Sequence, residues 1–474
     1  MTGQALTGLI MLTVLIGAIF IGVPISFTLL FLAVTFGYFG LGASVFDLAY
    51  FQTIGMMKEE LLAAVPLFVL MGFITEQAGL MERLFTAFRL LFSRLKGALY
   101  LVVILTAAVF AMATGIVGAA VTVLGIMASP IMNKSGYDQQ LAAGAITAGG
   151  TLGILIPPSV MLIVMGPVLG VSVADLYAAA FGPGFLLAAI YLTYLLGRSF
   201  INPSLGPPVP LEERIHSTAT ILKEVVLGVV PLLALITATL GSILAGLATP
   251  TEASAVGAIG ALILTIAYGR FTIAGFKRAL LNTMATSSMV LLLAVTSNVF
   301  GAVFARLGTA NWITESLLGL QLPPTFMLVL ILVLIFILGW PFEWPAIVLV
   351  FLPIFYPVVK AMGIDLIWFG ALVAVVLQTA FLSPPVAMSA YYLKQVVDSW
   401  SLATIYKGMF QFMMLQILAI TLLVIFPPIA TWLPTTLNEA ARTKPMSADH
   451  LKIIEQQKKQ QSLDDDDYGA PKKK

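Results

Sequence analysis

The 474-residue sequence contains no cysteine and only two histidines, and charged residues make up 10% of it. Without cysteine there is no disulfide framework, no thiolate nucleophile and no cysteine-ligated metal. His216 and His450 both lie in polar segments, which argues against a histidine metal site or proton relay inside a membrane. The formal net charge is +2 and no basic, aromatic-rich patch occurs, so we expect no nucleic-acid partner.

Catalytic signatures are missing as well. No GxxxxGK[ST] sequence occurs, which excludes ATP hydrolysis by a P-loop. The sequence shows neither a Ser-His-Asp arrangement nor a cluster of metal-ligating residues. These absences predict a protein that is not an enzyme.

Apolar residues, in contrast, make up 60% of the chain. Soluble domains contain about 45–50% apolar and about 25% charged residues. No soluble core could bury so much apolar surface, so lipid must be the solvent for most of it. Thirteen apolar segments are candidates for membrane helices, which need about 20 residues to cross a bilayer. The sequence therefore predicts an all-α polytopic membrane protein.

The domain organisation follows from shifts in composition. A polar, Pro-rich linker separates two apolar halves, and a charged tail follows the second half. We expect this tail to be solvated and disordered, because it alternates charges and has few apolar residues. The predicted units are a first membrane repeat, the linker, a second membrane repeat and the tail, at residues 1–201, 202–224, 225–433 and 434–474.

Two segments, residues 81–97 and 269–282, combine arginine and lysine with leucine and phenylalanine. This pattern predicts amphipathic helices that lie in the membrane interface. The positive-inside rule places them at the cytoplasmic face. An orientation with this basic rim toward the periplasm stays open.

Unusual residues recur at a spacing of 227 positions, which indicates an internal duplication. Apolar matches mean little in such a composition, but a proline, a Gly-x-Asp turn and a Pro-Pro pair at one spacing are hard to obtain by chance. The recurring pairs are Pro130 and Pro357, Gly136 and Gly363, Asp138 and Asp365, Pro157 and Pro384, and Pro158 and Pro385. Both aspartates are placed to cap the helix that follows them.

Each half contains two apolar stretches that glycine or proline interrupts: residues 112–121 and 147–161 in the first half, and 339–348 and 377–388 in the second. A proline inside a helix costs about 3 kcal/mol and removes a backbone donor. Broken backbone is tolerated in a bilayer only where it is buried in protein or lines a cavity. Paired interruptions in two halves therefore predict a binding site near the bilayer midplane.

Such breaks offer free carbonyl groups to a cation and helix starts to an anion. The hydroxyls of Thr114, Thr151, Thr379 and Ser383 add oxygen atoms suited to a hard cation such as Na⁺. Glycine and proline could instead kink the helices only for packing. Four breaks in two matching pairs favour the binding site.

Two glutamates receive different interpretations. Glu343 lies between Pro341 and Pro345, and a carboxylate in the bilayer costs roughly 2.5–3.5 kcal/mol, so it is a functional candidate by default. A structural role for Glu343, capping the tip of a hairpin, stays open. Glu252 follows Pro250 in the first turn of a predicted helix, where a negative charge is favourable.

Taken together, several blocks resemble the large membrane subunit of tripartite ATP-independent periplasmic (TRAP) transporters. The blocks are PLFVLMGFITEQAGL (66–80), MATGIVGAAV (112–121), GYDQQLAAGAITAGGTLGILIPPSV (136–160), ATPTEASAVGAIGALIL (248–264) and LQTAFLSPPVAMSAYYLK (377–394). The resemblance covers nearly all of residues 1–433. Within it, ATGIVGA and LQTAFLSPP are similar to the mannitol/chloroaromatic branch, which includes 2-oxo-acid carriers.

The resemblance implies a fold of two inverted repeats, each with a re-entrant hairpin and a broken helix, in an elevator-type transporter of the ion-transporter superfamily. Such systems lie in the bacterial inner membrane and import organic acids with Na⁺. They work with a small four-helix membrane subunit and a periplasmic solute-binding protein. No cofactor is implied besides the coupling sodium ions.

The same resemblance places hairpin tips at Thr114–Gly118 and Pro341–Pro345, and helix breaks at Gly153–Ser159 and Leu382–Val386. The resulting candidates for cation and substrate binding are Thr114, Gly115, Gly118, Gly150, Thr151, Gly153, Pro157, Pro158, Ser159, Pro341, Glu343, Thr379, Ser383, Pro384 and Pro385. The chain departs from the family pattern at both tips: Ile116 replaces a serine, and Glu343 replaces an aspartate.

These observations predict sodium-coupled import of a carboxylate that a binding protein delivers. Two alternatives stay open. One is a stand-alone cation-coupled anion transporter of the same superfamily, and the other is a channel-like or non-transporting membrane scaffold.

Overall fold

A computed structural model describes residues 3–208, 218–384 and 387–443. Every regular element in these ranges is a helix. Nine helical spans there are long and apolar enough to cross a membrane, or ten if one bent pair of helices counts as a single span. The predicted all-α, multi-pass architecture is therefore confirmed.

The first half contains ten helices. They are α1 Gly3–Phe20, α2 Ile25–Leu41, α3 Ser44–Met57, α4 Ala64–Gln77, α5 Leu80–Phe92, α6 Ala98–Thr114, α7 Val117–Lys134, α8 Gln139–Leu155, α9 Val160–Leu169 and α10 Val173–Ile201. A short 3₁₀ turn, Glu60–Ala63, leads directly into α4.

The second half contains twelve helices. They are α11 Thr218–Ile236, α12 Ser242–Leu244, α13 Pro250–Ala267, α14 Ile273–Arg306, α15 Thr309–Leu318, α16 Pro324–Leu338, α17 Trp344–Ala346, α18 Leu352–Ala361, α19 Leu366–Leu382, α20 Met388–Lys394, α21 Leu402–Ile425 and α22 Pro428–Thr443. Two π-helical turns, Thr237–Gly241 and Ile347–Phe351, join α11 to α12 and α17 to α18 without a gap.

Helix bounds recur at the spacing of 227 residues that the sequence motifs indicate. Moved by this spacing, α7 coincides with the continuous helix Trp344–Ala361, and α8 coincides with α19. The predicted aspartate caps are confirmed: Asp138 Oδ1 accepts the Leu141 N–H at 2.8 Å, and Asp365 Oδ1 accepts the Trp368 N–H at 2.7 Å. The inverted orientation of the two repeats stays a prediction.

The helices pack into two groups. In the outer group, α13 and α14 pack against α4, and α14 also packs against α2 and α3. In the hairpin group, formed by α6–α10 and α16–α21, α8 lies against α6, α7 and α21, while α19 lies against α10, α16 and α21. Helix α5 connects the groups, because it packs against both α6 and α11.

The predicted boundaries of the linker and the tail both shift. Helix α11 begins at Thr218, inside the predicted linker, and α22 continues to Thr443, past the predicted start of the tail at residue 434. Helix α22 packs against α10 and α19, and this tertiary packing extends the helix beyond Pro434. Residues 209–217 and 444–474, which include both histidines, lie outside the described residues.

The two basic segments fold differently from one another. Helix α5 is a separate amphipathic helix that buries Leu80, Leu84 and Leu90. Residues 269–282 form no separate interfacial helix, so that prediction is wrong. Instead α14 begins at Ile273, where Thr272 Oγ1 accepts the Gly275 N–H at 3.0 Å, and runs on for 34 residues or about 51 Å.

The helix-end role of Glu252 is confirmed. Its Oε2 accepts the Thr249 N–H at 2.8 Å, and the Glu252 N–H donates to Thr249 Oγ1 at 3.2 Å. This reciprocal pair is a capping box that satisfies two donors at the start of α13.

Glycine allows α8 and α21 to approach closely. A Cβ atom at Gly408 would lie 2.1 Å from the Gln140 carbonyl oxygen, and one at Gly144 would lie 2.5 Å from ring carbons of Phe412. Because a backbone atom cannot rotate away as a side chain can, the contact at Gly408 fixes the distance between these helices.

Gly408→Ala should therefore push α21 away from α8 and lower the free energy of unfolding by about 1–3 kcal/mol, the range for overpacked cores. Thermal unfolding of the purified chain in detergent measures the change. Gly197→Ala is the control, because nothing lies within 4 Å of a Cβ atom there and alanine favours the helix by up to about 1 kcal/mol. Equal stability of the two variants would contradict this account of the contact.

Candidate functional site

The first hairpin tip is two residues long. Helix α6 ends at Thr114, Gly115 adopts a left-handed conformation with φ +62°, Ile116 is extended and α7 begins at Val117. Glycine takes this conformation without the steric cost of a Cβ atom. The tip lies within the predicted range Thr114–Gly118.

The second tip is longer and rich in large side chains. Helix α16 ends at Leu338, residues 339–343 are not helical, and α17 begins at Trp344 with Pro345 in its first turn. The tip therefore starts two residues before the predicted range Pro341–Pro345. The large apolar side chains around this tip are as common inside a membrane helix as at its end. The sequence therefore did not show where α16 ends.

The first helix break lies between α8 and α9, which meet at an angle of 44°. The gap consists of residues 156–159, which are all buried, and the bond between Pro157 and Pro158 is cis. The break therefore begins three residues after the predicted start at Gly153, which is still helical in α8. Ser159 Oγ donates to the Ile154 carbonyl oxygen at 2.5 Å. This hydroxyl thereby satisfies a carbonyl group that the interrupted helix leaves without its usual donor.

The second break follows α19. Ser383 is extended and buried, its N–H donates to the Thr379 carbonyl oxygen at 2.9 Å, and Pro384 is exposed. Pro385 and the residue after it lie outside the described residues, and α20 begins at Met388.

The first tip packs directly on the first break. A Cβ atom at Gly115 would lie 3.5 Å from the Pro158 carbonyl oxygen and 3.7 Å from that of Gly153. A Cβ atom at Gly153 would lie 3.7 Å from the Ile116 nitrogen. Two backbone carbonyl groups therefore face the glycine at the hairpin tip, an arrangement that can offer oxygen ligands to a cation.

Both tips and the helix ends that flank the two breaks border one cavity of about 250 Å³. The residues that contribute from the first half are Val69, Gly115, Ile116, Val117, Gly118, Ile154 and Val160. Those from the second half are Thr286, Met289, Val290, Gly339, Phe342, Glu343, Trp344, Ala380, Phe381, Met388 and Tyr392. The outer group supplies Val69 from α4 and three residues from α14, so the cavity lies between the two helix groups.

The carboxylate of Glu343 is exposed into this cavity. Glu343 is the residue before α17, but its side chain makes no capping hydrogen bond. The structural alternative, a cap for the tip, is therefore not found. Among the described residues that line the cavity there is no lysine, arginine or histidine to pair with it.

Of the predicted site residues, Gly115, Gly118 and Glu343 line the cavity. A Cβ atom at Gly118 would lie 3.2 Å from the Tyr392 ring, so glycine is needed for this ring to pack there. Gly150 serves helix packing instead, because a Cβ atom there would lie 2.3 Å from a methyl group of Val121. The other predicted residues within the described ranges do not line the cavity, and any role in cation binding stays a prediction.

The predicted hydroxyl ligands are mostly engaged with their own helices. Thr114 Oγ1 donates to the Phe110 carbonyl oxygen at 3.2 Å, and Thr151 Oγ1 donates to that of Ala148 at 2.8 Å. Thr379 Oγ1 donates in the same way within α19. Each oxygen keeps its lone pairs, so such a hydroxyl can still accept a cation.

Ser383 differs, because its buried hydroxyl makes no hydrogen bond. The amide of Gln378, five residues earlier and fully buried, is also without a partner, as is the buried hydroxyl of Ser389 just beyond the break. Buried polar groups without partners are rare and costly. Gln378 was missed by the sequence prediction, although an amide inside an apolar run was a usable signal.

Residues 286, 289 and 290 of α14 were also missed. No glycine, proline or charge marks them in the sequence, because α14 is continuous there. Among the described residues no group of three or more His, Asp or Glu side chains could hold a metal ion. Besides the Glu343 carboxylate, any ion at this site would depend on backbone, hydroxyl and amide oxygens.

Comparison with known proteins gives consistent results. Residues 12–429 match the family described as "Tripartite ATP-independent periplasmic transporter, DctM component". The chain is 31% identical over 422 residues to the sialic acid TRAP transporter large permease protein SiaM of Vibrio cholerae, covering 88% of this chain and 96% of that protein. It is 28% identical over 403 residues to the C4-dicarboxylate TRAP transporter large permease protein DctM of Rhodobacter capsulatus, covering 81% and 89%.

Among solved structures, the YdaH transporter of Alcanivorax borkumensis superposes with a TM-score of 0.56 and 17% identity, covering 81% of this chain and 87% of that one. At this identity the likeness concerns the fold alone. With the extended sequence match and the apolar helices, the conclusion is that the chain belongs to the DctM family of tripartite ATP-independent periplasmic transporters, as a multi-pass inner-membrane permease and not an enzyme.

Proposed function

We propose that this permease imports an organic acid coupled to Na⁺, together with a small four-helix membrane subunit and a periplasmic solute-binding protein that delivers the acid. The observation that carries the proposal is that one cavity is bordered by both hairpin tips and by the helix ends beside both breaks. Relatives named for sialic acid and for C4-dicarboxylates share a carboxylate as their common substrate group.

The starts of two helices offer the cavity a binding place for a carboxylate. The first residues of α7 and α9, Val117 and Val160, both line it. The first turn of a helix has free N–H groups and the positive end of the helix dipole, which together favour an anion. The two helix starts can therefore bind a carboxylate without a basic side chain.

Sodium has candidate ligands beside both breaks. At the first, the carbonyl oxygens of Gly153 and Pro158 face the tip at Gly115. At the second, the Ser383 hydroxyl and the Gln378 amide oxygen are buried without partners. A hard monovalent cation prefers such oxygen ligands, and unwound backbone of this kind is where transporters coordinate Na⁺.

The division of helices suits an elevator movement. The cavity has one wall from α4 and α14 of the outer group and the other walls from the hairpin group. Sliding the hairpin group along α14 would carry the acid and the sodium ions together past a fixed wall. Because the tips and breaks belong to the moving group, they would stay together during transport while the wall from α4 and α14 changes.

Transport can be tested in liposomes that contain the full chain with its small subunit. Hexanoate, succinate and N-acetylneuraminate are first tested for binding to the partner binding protein. The acid that it binds is then labelled and used as the probe. Uptake should require both the binding protein and an inward Na⁺ gradient. Replacing Na⁺ by K⁺ should reduce the uptake rate at least about tenfold, which corresponds to about 1.4 kcal/mol. Uptake by the lone chain would favour the stand-alone transporter, and flux without a gradient would favour a channel.

The sodium ligands can be tested by Ser383→Ala. Loss of one oxygen ligand should raise the Na⁺ concentration for half-maximal uptake by about tenfold, or about 1.4 kcal/mol. Ser287→Ala is the matched control, because Ser287 is also buried without a partner but lies within the continuous helix α14 and not at a helix break. An unchanged sodium dependence in Ser383→Ala, or an equal shift in both variants, would contradict this assignment.

The cavity can be tested with single cysteines, since the chain has none of its own. Thr286→Cys places a thiol on the α14 wall, and a charged methanethiosulfonate reagent attached there should reduce uptake at least about tenfold by filling the site. Met284→Cys is the control, because Met284 is 65% exposed on the same helix but does not line the cavity. Equal inhibition of both variants would place the transport site elsewhere.

A further inference from the structure

The walls of the cavity are strongly apolar for a site that is to bind an acid. Six of the lining side chains, Ile116, Val117, Met289, Phe342, Phe381 and Met388, offer only apolar or aromatic surface. They come from both tips, from the helices beside the second break and from α14, so a bound molecule would meet apolar atoms on several sides.

The polar groups of the cavity are few and badly suited to a second anion. They are the side chains of Thr286, Glu343 and Tyr392 and the indole N–H of Trp344. The Tyr392 hydroxyl lies 3.6 Å from Met388 Sδ, a weak acceptor. A second carboxylate on the substrate would meet the like charge of Glu343, and no basic residue lines the cavity among the described residues.

Hydroxyl groups on the substrate are disfavoured for a related reason. A hydroxyl that leaves water for an apolar wall loses affinity unless it finds a partner. A polyhydroxy acid would need several partners at once, and the wall between the helix starts and α14 does not supply them. The site is consistent with one anionic end and an apolar body.

On the function proposed above, we propose that this site takes monocarboxylates with an apolar body and discriminates against dicarboxylates and polyhydroxy acids. The carboxylate lies at the starts of α7 and α9, and the apolar body lies against Met289, Phe342 and Phe381. This permease thereby differs in substrate class from the relatives that are named for sialic acid and C4-dicarboxylates.

Three six-carbon acids test the proposal, because they share a chain length and differ in one feature each. Hexanoate has one carboxylate, adipate has two, and gluconate carries hydroxyl groups. Binding to the full chain in lipid nanodiscs, with saturating Na⁺, is measured by titration calorimetry. Hexanoate should bind at least about tenfold more tightly than either of the other acids.

Two variants assign the preference to this cavity. Met289→Gln adds a polar amide to the wall and should reduce the preference for hexanoate over gluconate at least about threefold, whereas Met284→Gln, on the same helix but outside the cavity, should leave it unchanged. Glu343→Gln removes the carboxylate and should reduce the preference for hexanoate over adipate. The preference for hexanoate over gluconate should stay unchanged in this variant.

The outcomes separate this inference from the function on which it rests. Adipate or gluconate binding as tightly as hexanoate would overturn the inference and leave carboxylate transport intact. Equal effects of Met289→Gln and Met284→Gln would also overturn it. Failure of all three acids to bind, together with no Na⁺-driven uptake of any acid, would overturn both.

Discussion

The hydrocarbon core of a bilayer contains no water, so a free backbone N–H or C=O group there needs a partner within the protein. This chain interrupts its helices at four places in the apolar region, and the interruptions depend on one another. The first break is buried, Ser159 satisfies the carbonyl group of Ile154, and the glycine tip at Gly115 covers the carbonyl groups of Gly153 and Pro158. The tip and the break are therefore parts of one packed unit.

The cavity follows from the same constraint. Interrupted backbone cannot face lipid, and the two tips meet the helix ends beside the two breaks between the helix groups. What lines the cavity is then a mixture of helix starts, glycine backbone and the side chains next to them. The proposed binding of ions and anions through backbone groups is a direct result of breaking helices in a medium without water.

The two halves share the same helix bounds and aspartate caps, but the side chains at their hairpin tips differ. The bounds of α7 and α8 recur 227 residues later, and so do the aspartate caps. At the tips, however, the first half has Gly115 and Ile116 where the second has Phe342, Glu343 and Trp344. The first half thus contributes close backbone approach, and the second contributes aromatic surface and the only carboxylate that lines the cavity among the described residues.

The sequence by itself determined that lipid surrounds most of the chain and that the chain contains a duplication. It also placed three of the four interruptions to within a residue or two. Proline, glycine and aspartate act on the backbone locally, so their effect is visible without the fold. Tertiary structure decided the rest. That α14 supplies a wall with Thr286 and Met289, that Thr151 faces its own helix, and that α22 continues past Pro434 all depend on which surfaces meet in space. A continuous helix carries no mark of the face it presents to a cavity, because in lipid both its buried and its exposed faces are apolar.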